Sequence, residues 1–354
     1  MTTHPSLLQR LALRHPIIQA PMAGVATAEL AAAVSNAGGL GSLAIGASSL
    51  EQAERTIRAA QALTDASLNI NLFCHRSARR DPQREANWLS YLAPLFAEQG
   101  SEPPARLQEI YPSFNDHQLE LLLALRPAVV SFHFGLPSAE ALSALHQRGI
   151  VTLASATTPD EAQRVADAGV DAVVAQGIEA GGHRGQFDPD APDPCLTTAE
   201  LVTLLSGAMD KPIIAAGGIM DGTDAAKMLA LGATAVQLGT AFVACPESSA
   251  SPAYRAALLG ESAHHTRLTA TLSGRAARGM VNRFMDYAER PEAPAIPDYP
   301  VAYDAAKQLH QLAAARQVHD FAAHWAGTGA PRARALPAAE LMAKLVAELA
   351  AARP

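Results

Sequence analysis

Eight short apolar segments, separated by segments with helical spacing, are the feature that most constrains the fold of this chain. The apolar segments are continuous rather than alternating, which is typical of parallel strands buried on both faces. They cover residues 16–22, 40–45, 68–73, 128–134, 151–156, 172–176, 212–216 and 235–242. Eight strand–helix repeats in about 240 residues predict an α/β fold of the closed (β/α)8 type, a TIM barrel. An open doubly wound sheet is the competing arrangement.

Helical segments fill the spaces between these strands. They are predicted at residues 27–36, 50–63, 138–148, 159–168, 198–206 and 223–231. The sequence Thr158-Pro159-Asp160-Glu161 places a capping hydroxyl before a proline and two acids in the first turn. Gly149, Gly169 and Gly232 follow last turns, where a left-handed residue is favoured. These signals support the strand–helix alternation.

Two regions interrupt the repeat and predict the domain organisation. Residues 75–126 are too long for one crossover and contain helical pieces at 84–99 and 116–125. Residues 245–354 contain few strand signals, a proline-rich bend and helical stretches at 301–315 and 338–351. We therefore expect a barrel domain at 1–244, with an insertion at 75–126, and a mainly helical module at 245–354 that covers the active site.

Charge and cysteine content exclude several classes of protein. The 27 Lys and Arg residues against 34 Asp and Glu residues give a formal charge of −7, so general affinity for nucleic acid or an anionic membrane is not expected. Cys74, Cys195 and Cys245 are far apart and form no CxxC, which argues against a disulfide framework or a metal site. No secretory signal or transmembrane run is recognised. The expectation is a soluble cytoplasmic protein, for which a homodimer stays open.

Glycine-rich loops follow the last two predicted strands. Gly217 and Gly218 come after the seventh strand, and Gly239 and Thr240 come after the eighth. TIM barrels often bind a phosphate between these two loops through backbone N–H groups. No GxGxxG and no Walker A sequence is present, so a Rossmann dinucleotide site and a P-loop are unsupported. A ligand with one phosphate is predicted, either a phosphorylated metabolite or flavin mononucleotide (FMN).

Other strand ends favour the flavin. The first strand ends in Ala20-Pro21-Met22-Ala23-Gly24, which offers a flat apolar wall and a glycine. Asn69 and Asn71 lie in the third strand, and Gln176 ends the sixth. Amide side chains both donate and accept hydrogen bonds, as the polar edge of an isoalloxazine ring requires.

A histidine lies in the glycine-rich loop after the sixth strand. His183 is preceded by Gly181 and Gly182 and followed by Arg184-Gly185. The glycines allow close backbone approach to a ligand and expose the imidazole, which can act as a base or, when protonated, as a cationic clamp. His133 ends the fourth strand and either lines the same pocket or is a satisfied core histidine.

Tyrosines and a lysine form a candidate substrate face in the C-terminal module. Tyr299, Tyr303 and Lys307 are spaced by four, so they fall near one helix face. Two phenols and an ammonium suit a small anionic substrate with a carboxylate, although an amphipathic packing stripe has the same spacing. Tyr111 and Tyr254 are further candidates. A basic turn at 273–279 either reaches the phosphate or is solvated.

Together these motifs identify a family resemblance. The segments PIIQAPMAG, AVSNAGGLGS, NINLFCH, VSFHFG, VVAQGIEAGGHRG, AAGGIMDG, AVQLGTAFVACPESSA and SGRAARG resemble the nitronate monooxygenases, most closely the bacterial class I enzymes acting on propionate 3-nitronate. The resemblance implies a barrel with non-covalent FMN and makes His183 the principal active-site residue. It implies substrate contacts from His133, Tyr299, Tyr303 and Lys307. The expected cofactor contacts are Ala20, Met22, Ala23, Gly24, Asn71, Gln176, Gly181, Gly182, Gly217, Gly218, Gln237, Leu238, Gly239 and Thr240.

The resemblance also implies a reaction. The family oxidises nitronates with O2 by single-electron transfer through a flavin semiquinone and releases a carbonyl compound with nitrite and nitrate. For propionate 3-nitronate the carbonyl product is malonic semialdehyde, so a role in detoxification is expected. The alternative is an NAD(P)H-dependent FMN reductase of the enoyl-acyl-carrier-protein reductase or quinone reductase type. One departure is Thr328, which stands where relatives commonly carry Gln.

Overall fold

The computed structural model describes residues 6–352, and its central feature is a parallel sheet of eight strands closed into a barrel. The strands of the structure, in chain order, are β1 Ile17–Gln19, β2 Gly41–Ala44, β3 Leu68–Phe73, β4 Val129–His133, β5 Val151–Ala156, β6 Ala172–Gln176, β7 Gly182–His183, β8 Ile213–Ala216, β9 Ala235–Leu238, β10 Thr266–Thr269 and β11 Ala277–Met280. The barrel order is β1-β9-β8-β6-β5-β4-β3-β2. Ile18 bridges Leu40 in parallel next to β2, which closes the barrel and confirms the predicted (β/α)8 fold.

Helices surround the barrel and also cover one end of it. They are α1 Leu7–Arg10, α2 Ala28–Asn36, α3 Leu50–Leu63, α4 Pro82–Glu98, α5 Asp116–Leu125, α6 Ala139–Gln147, α7 Pro159–Asp167, α8 Thr198–Ser206, α9 Gly222–Ala230, α10 Thr240–Val243, α11 Pro252–Leu258, α12 Arg283–Ala288, α13 Val301–Ala314 and α14 Ala338–Ala352. The capping signal before α7 is real, because the Thr158 side chain accepts a hydrogen bond from the Glu161 N–H. No helix within residues 6–352 is long and apolar enough to cross a bilayer.

The continuous apolar runs are explained by two cores, one on each face of the sheet. Ile18, Val174 and Ile214 belong to a core inside the barrel, which Leu7 and Leu11 of the α1 region join. The residues that precede them in the strands are Ile17, Val173 and Ile213. These belong to the larger core between strands and helices. Because successive strand residues point to opposite faces, a strand buried on both faces is apolar at most positions; buried Asn69 and Asn71 of β3 are exceptions.

The eighth predicted segment is only partly a strand. β9 ends at Leu238, and residues 240–243 form the short helix α10 instead of continuing the strand. Ala241 and Phe242 are buried in the core between strands and helices. An apolar run does not distinguish a buried strand from a buried helix. The strand predicted at residues 235–242 was therefore too long.

The last helix completes the barrel wall and does not lie over its open end. Residues 338–352 were expected in the module that covers the active site, but α14 packs against α2 and α9. Leu341, Leu345 and Leu349 contribute to the same core as the barrel strands. A Cβ on Gly222 would lie 2.2 Å from the Leu349 N, so α9 and α14 are in close contact. α14 therefore occupies a place in the helical ring.

The cover over the open end combines the insertion with the C-terminal region. Trp88 and Leu92 of α4 share a separate core with Val301 and Leu309 of α13 and with Phe321. A three-stranded antiparallel sheet of β10, β11 and β7 joins this cover to the loop after β6. The sequence analysis did not predict this sheet. β10 and β11 pair locally, but β7 has only two residues and its partners in β11 are almost a hundred residues away.

Candidate active site

The carboxyl ends of the barrel strands and the cover enclose a cavity of about 480 Å³. All but one of the predicted site residues line it. These are Ala20, Met22, Ala23, Gly24, Asn71, Tyr111, His133, Gln176, Gly181, Gly182, His183, Gly217, Gly218, Gln237, Gly239, Thr240, Tyr254, Tyr299, Tyr303 and Lys307. The exception is Leu238, whose side chain is buried in the core between strands and helices. Asn69 is also outside the lining; it is buried and donates to Ser42 Oγ.

The glycines after β8 form one wall of the cavity without side chains. Gly217 and Gly218 have φ angles of +127° and +70°, a region that favours glycine. A Cβ on Gly217 would lie 2.7 Å from Thr198 Oγ1, so a side chain there requires a shift. The N–H groups of Gly218 and Gly239 make no backbone hydrogen bond within the described chain. Free N–H groups around a wall without side chains can bind an anion such as a phosphate.

His183 is fixed on both its backbone and its side chain. It pairs with Ala277 of β11 in antiparallel register. Its carbonyl oxygen accepts hydrogen bonds from Gln176 Nε2 at 3.0 Å and from the His133 ring at 3.2 Å. Its Nε2 lies 2.9 Å from the Ser273 hydroxyl. The imidazole therefore has one orientation relative to the barrel.

The hydrogen bonds around Ser273 indicate the tautomer of His183. The Ser273 hydroxyl donates to the Arg275 carbonyl oxygen at 3.0 Å, so toward the imidazole it acts as an acceptor. His183 Nε2 then carries the proton, and Nδ1 is the unprotonated nitrogen. This assignment follows from the hydrogen-bond network, and it leaves Nδ1 as the atom that can take up a proton.

Burial keeps the histidines of the site neutral at neutral pH. Burial, reinforced by the nearby charges of His133, Arg275 and His75, lowers the pKa of His183 from 6.5 to about 3. The pKa of His133 falls to about 4, chiefly through burial. The pKa of His75, which packs edge-on against Tyr299 with ring centroids 5.0 Å apart, also falls to about 4 for the same reason. The unliganded site therefore has neutral imidazoles.

These depressed pKa values predict acid sensitivity of the fold. Below pH 6.5 the histidines of the unfolded chain bind protons, whereas buried His75 and half-buried His133 and His183 do not until about pH 3–4. Stability is therefore lost as the pH falls below 6.5, by about 2 kcal/mol per histidine at pH 5. Urea unfolding at pH 7.5 and pH 5.0 measures this loss. Replacement of exposed His117 by Gln should leave it unchanged, whereas equal stability at the two pH values would contradict the prediction.

Aromatic side chains surround His183 on the cavity side. The centroid of its ring lies 5.3 Å from that of Tyr299, 5.3 Å from Trp325 and 6.2 Å from Tyr303. Burial raises the pKa values of Tyr299 and Tyr303, so both phenols keep their protons and are hydrogen-bond donors. This half of the cavity offers uncharged donors in a desolvated environment.

Lys307 lies at the far side of Tyr303. Its Nζ donates to the Tyr111 hydroxyl and lies 4.9 Å from the centroid of the Tyr111 ring and 5.8 Å from that of Tyr303. An ammonium has three donor hydrogens, so two are left for a ligand. Tyr254 is less available, because its hydroxyl donates to the Trp325 carbonyl oxygen. The cavity thus has a histidine end and a lysine end.

Two of the predicted site residues, His133 and Gln176, use their polar side-chain atoms in hydrogen bonds within the protein. Both ring nitrogens of His133 are used, Nδ1 with the Ser155 hydroxyl at 2.8 Å and Nε2 with the His183 carbonyl oxygen. Gln176 uses its amide to hold His183 and to accept from the Gly185 N–H at 2.7 Å. The geometry therefore favours a positioning role for His133 and Gln176. Asn71 donates to Ser131, which leaves its amide oxygen for a ligand.

The sequence missed several residues of the site. Phe134 and Trp325 line the cavity, and Ser273 holds His183 from outside the lining. Neither arginine of the basic turn lines the cavity. Arg275 is buried, with its guanidinium carbon 4.1 Å from the centroid of the Phe134 ring, and half-buried Arg278 donates to the Ile178 carbonyl oxygen. The motif around Ser273 was visible in the sequence, but its contact with His183 depends on the pairing of β11 with β7.

Comparisons with known proteins give a consistent result. A family model described as "Nitronate monooxygenase" matches residues 5–348. A nitronate monooxygenase of Pseudomonas aeruginosa is 58% identical over 341 residues, covering 96% of this chain and 97% of that protein. One of Paraburkholderia phytofirmans is 56% identical over 346 residues, covering 97% and 94%.

Solved structures resemble the whole chain as well. The nitroalkane oxidase from Streptomyces ansochromogenes has a TM-score of 0.90 and 40% sequence identity, covering 98% of this chain and 99% of that one. FabK from Thermotoga maritima has a TM-score of 0.72 and 26% identity, covering 99% and 97%.

Proposed function

Because the chain belongs to the nitronate monooxygenase family and is an oxidoreductase, we propose that it binds FMN and oxidises nitronates with O2. The proposed substrate is propionate 3-nitronate, which carries a nitronate and a carboxylate. The observation that carries the proposal is that His183 and Lys307 line one cavity, with Tyr303 close to both of them. A dianion with charges at both ends matches this arrangement.

The residues around the glycine wall fit FMN. A phosphate is matched by the free N–H groups of Gly218 and Gly239, and the ring by the apolar end of β1 and the free amide oxygen of Asn71. When bound, FMN supplies the one-electron chemistry between nitronate and O2. The proposed cofactor contacts are Ala20, Met22, Ala23, Gly24, Asn71, Gly181, Gly182, Gly217, Gly218, Gln237, Gly239 and Thr240. The barrel would then hold the cofactor, and the insertion together with residues 245–337 would close the site over the substrate.

The side chains of the cavity bind and orient the substrate. A nitronate is already a carbanion equivalent, so no proton has to be removed from carbon. His183 is neutral in the unliganded site, and an anion beside it favours proton uptake at Nδ1. The resulting imidazolium holds the nitronate, while Lys307 binds the carboxylate. Tyr299 and Tyr303 donate hydrogen bonds and keep water out of the space between the two ends.

Two measurements on the purified protein test this proposal. The protein should be yellow and release FMN on denaturation, and it should consume O2 with propionate 3-nitronate. NADH or NADPH should not bleach the flavin efficiently under anaerobic conditions, which distinguishes the proposed activity from that of an NAD(P)H-dependent flavin reductase. A folded protein without FMN, or one that NADPH reduces rapidly while nitronates cause no O2 uptake, would overturn the proposal.

The glycine wall gives a prediction for cofactor retention. The variant Gly217→Ala introduces a Cβ that would lie 2.7 Å from Thr198 Oγ1 at a φ of +127°, so the wall must shift. We expect this shift to cost about 1.4 kcal/mol or more of FMN binding energy, which corresponds to a tenfold or greater loss of affinity. The dissociation constant of FMN for the reconstituted apoprotein measures this. Gly169→Ala is the control, because Gly169 also has positive φ, +84°, but lies at the end of α7; equal losses in both variants would contradict the assignment.

A further inference from the structure

Arg275 is a buried cation without a carboxylate partner. Its side chain lies behind Phe134, with the residue 4% exposed. It forms no ion pair among the described residues; its Nη2 donates to the Gln186 carbonyl oxygen, and its Nε is buried without a hydrogen-bond partner. Burial lowers its pKa to about 10, so it stays charged at neutral pH. A buried charge without a counter-ion is costly.

Another arginine shows how the same chain stabilises a buried guanidinium for structural purposes. Arg184 is 1% exposed, and its Nε and Nη2 bind both oxygens of Asp193 at 2.8 and 3.0 Å. Glu161 and Asp188 act on Arg275 only through space: their charges raise its pKa, but neither forms an ion pair with it. Glu161 accepts hydrogen bonds from the N–H groups of Thr157 and Phe187, and Asp188 pairs with Arg76. Arg275 thus lacks the compensation that Arg184 has.

Arg275 lies close to the histidine end of the cavity. Its guanidinium packs on the Phe134 ring, whose centroid lies 5.7 Å from that of His183 and 5.4 Å from that of Tyr299. Phe134 itself lines the cavity, so the guanidinium lies one aromatic ring away from it, and such a ring screens a charge far less than water does. The backbone of the same residue anchors Ser273, which holds the His183 ring.

We propose that Arg275 is an electrostatic positioning residue whose missing counter-ion is the anionic group of the ligand bound beside His183. The inference rests on the proposed function, because it assigns the nitronate to the histidine end. It adds a further cation, beside the His183 imidazolium, at the histidine end of the cavity. This cation acts through Phe134 without touching the substrate. Lys307 would select substrates with a carboxylate, whereas Arg275 would favour every nitronate, with or without one.

The test compares an anion with a neutral ligand of the same shape. Acetate and acetamide are planar and similar in size, and they differ by one charge. Calorimetric titration of the purified holoenzyme should show that Arg275→Gln weakens acetate binding about tenfold and changes acetamide binding less than about twofold. Arg275→Lys, which restores the charge, should bind acetate within about threefold of the wild type. These titrations require no turnover, so they distinguish failure of this inference from failure of the proposed function.

Kinetics provide a second readout. Arg275→Gln should lower kcat/KM for ethyl nitronate and for propionate 3-nitronate by similar factors of about ten. The control is Arg283→Gln, because Arg283 also packs over an aromatic ring, Phe321, but pairs with Glu98 at the surface. It should change neither binding nor kinetics.

Three results would overturn the inference. One is an equal loss of acetate and acetamide binding in Arg275→Gln. Another is a lysine variant that behaves like the glutamine variant. The third is failure of both Arg275→Gln and Arg275→Met to fold, which would assign the guanidinium to stability.

Discussion

Replacement of His183 by Gln is expected to lower kcat/KM about a hundredfold to a thousandfold for every nitronate substrate. A glutamine amide can still donate to Ser273, as His183 Nε2 does at 2.9 Å, but it has no nitrogen that takes up a proton. The variant therefore keeps the position of the side chain and loses the charge that forms when the anion binds. Oxygen uptake with ethyl nitronate and propionate 3-nitronate, at saturating O2, measures the effect.

A second variant of the same residue separates proton uptake from hydrogen bonding. His183→Asn places its amide near the position of Nδ1 and loses the bond to Ser273. If an uncharged hydrogen bond at Nδ1 were sufficient, Asn would retain much of the activity that Gln loses. We expect both variants to be similarly slow and to retain FMN, because no hydrogen bond from His183 leads to the glycine wall. Activity within tenfold of the wild type in either variant would contradict the proposed role.

Replacement of Lys307 by Met is expected to raise KM for propionate 3-nitronate about tenfold to a hundredfold and to change that for ethyl nitronate little. A charge-assisted hydrogen bond contributes about 1.5–3 kcal/mol when buried, and only the carboxylated substrate makes it. Methionine preserves the length and apolar stem of the side chain, so packing against Tyr303 is retained. Steady-state kinetics on both nitronates give the ratio of the two effects.

The control for Lys307 is its hydrogen-bond partner. Tyr111→Phe removes the hydroxyl that accepts from Lys307 Nζ and leaves the ammonium in place. It should therefore have a smaller effect than Lys307→Met, and in the same substrate-selective direction. Equal effects of Lys307→Met on the carboxylated and the simple nitronate would exclude a carboxylate-binding role.

The barrel and the composition of the cavity wall were predictable from the sequence because they depend on local patterns. β3, β5 and β6 have the predicted bounds, since burial on both faces makes most residues of each strand apolar. The glycine loops after β8 and β9 lie at the same end of a parallel barrel by topology alone. That single constraint brings Gly218, Gly239 and His183 to one cavity without knowledge of any contact.

The cover was harder to predict. β7 pairs with β11, so that Gly182 faces Arg278 across a separation of almost a hundred residues. No local pattern specifies such a pairing, and two-residue strands have no periodicity. Likewise, nothing in the sequence of α14 indicates that it packs against α2 and α9 in the barrel wall, because an amphipathic helix can bury its apolar face against either surface.

The sequence by itself determined the barrel, the position of the site at the carboxyl ends of its strands, and most of the side chains around the cavity. Only the tertiary structure decided the state of those side chains. His183 is held through Nε2 by Ser273 and through its carbonyl oxygen by Gln176 and His133, and the desolvation of its ring keeps it neutral. Burial and long-range hydrogen bonds set the proton affinity of a group, and neither is encoded in the residues next to it in the chain.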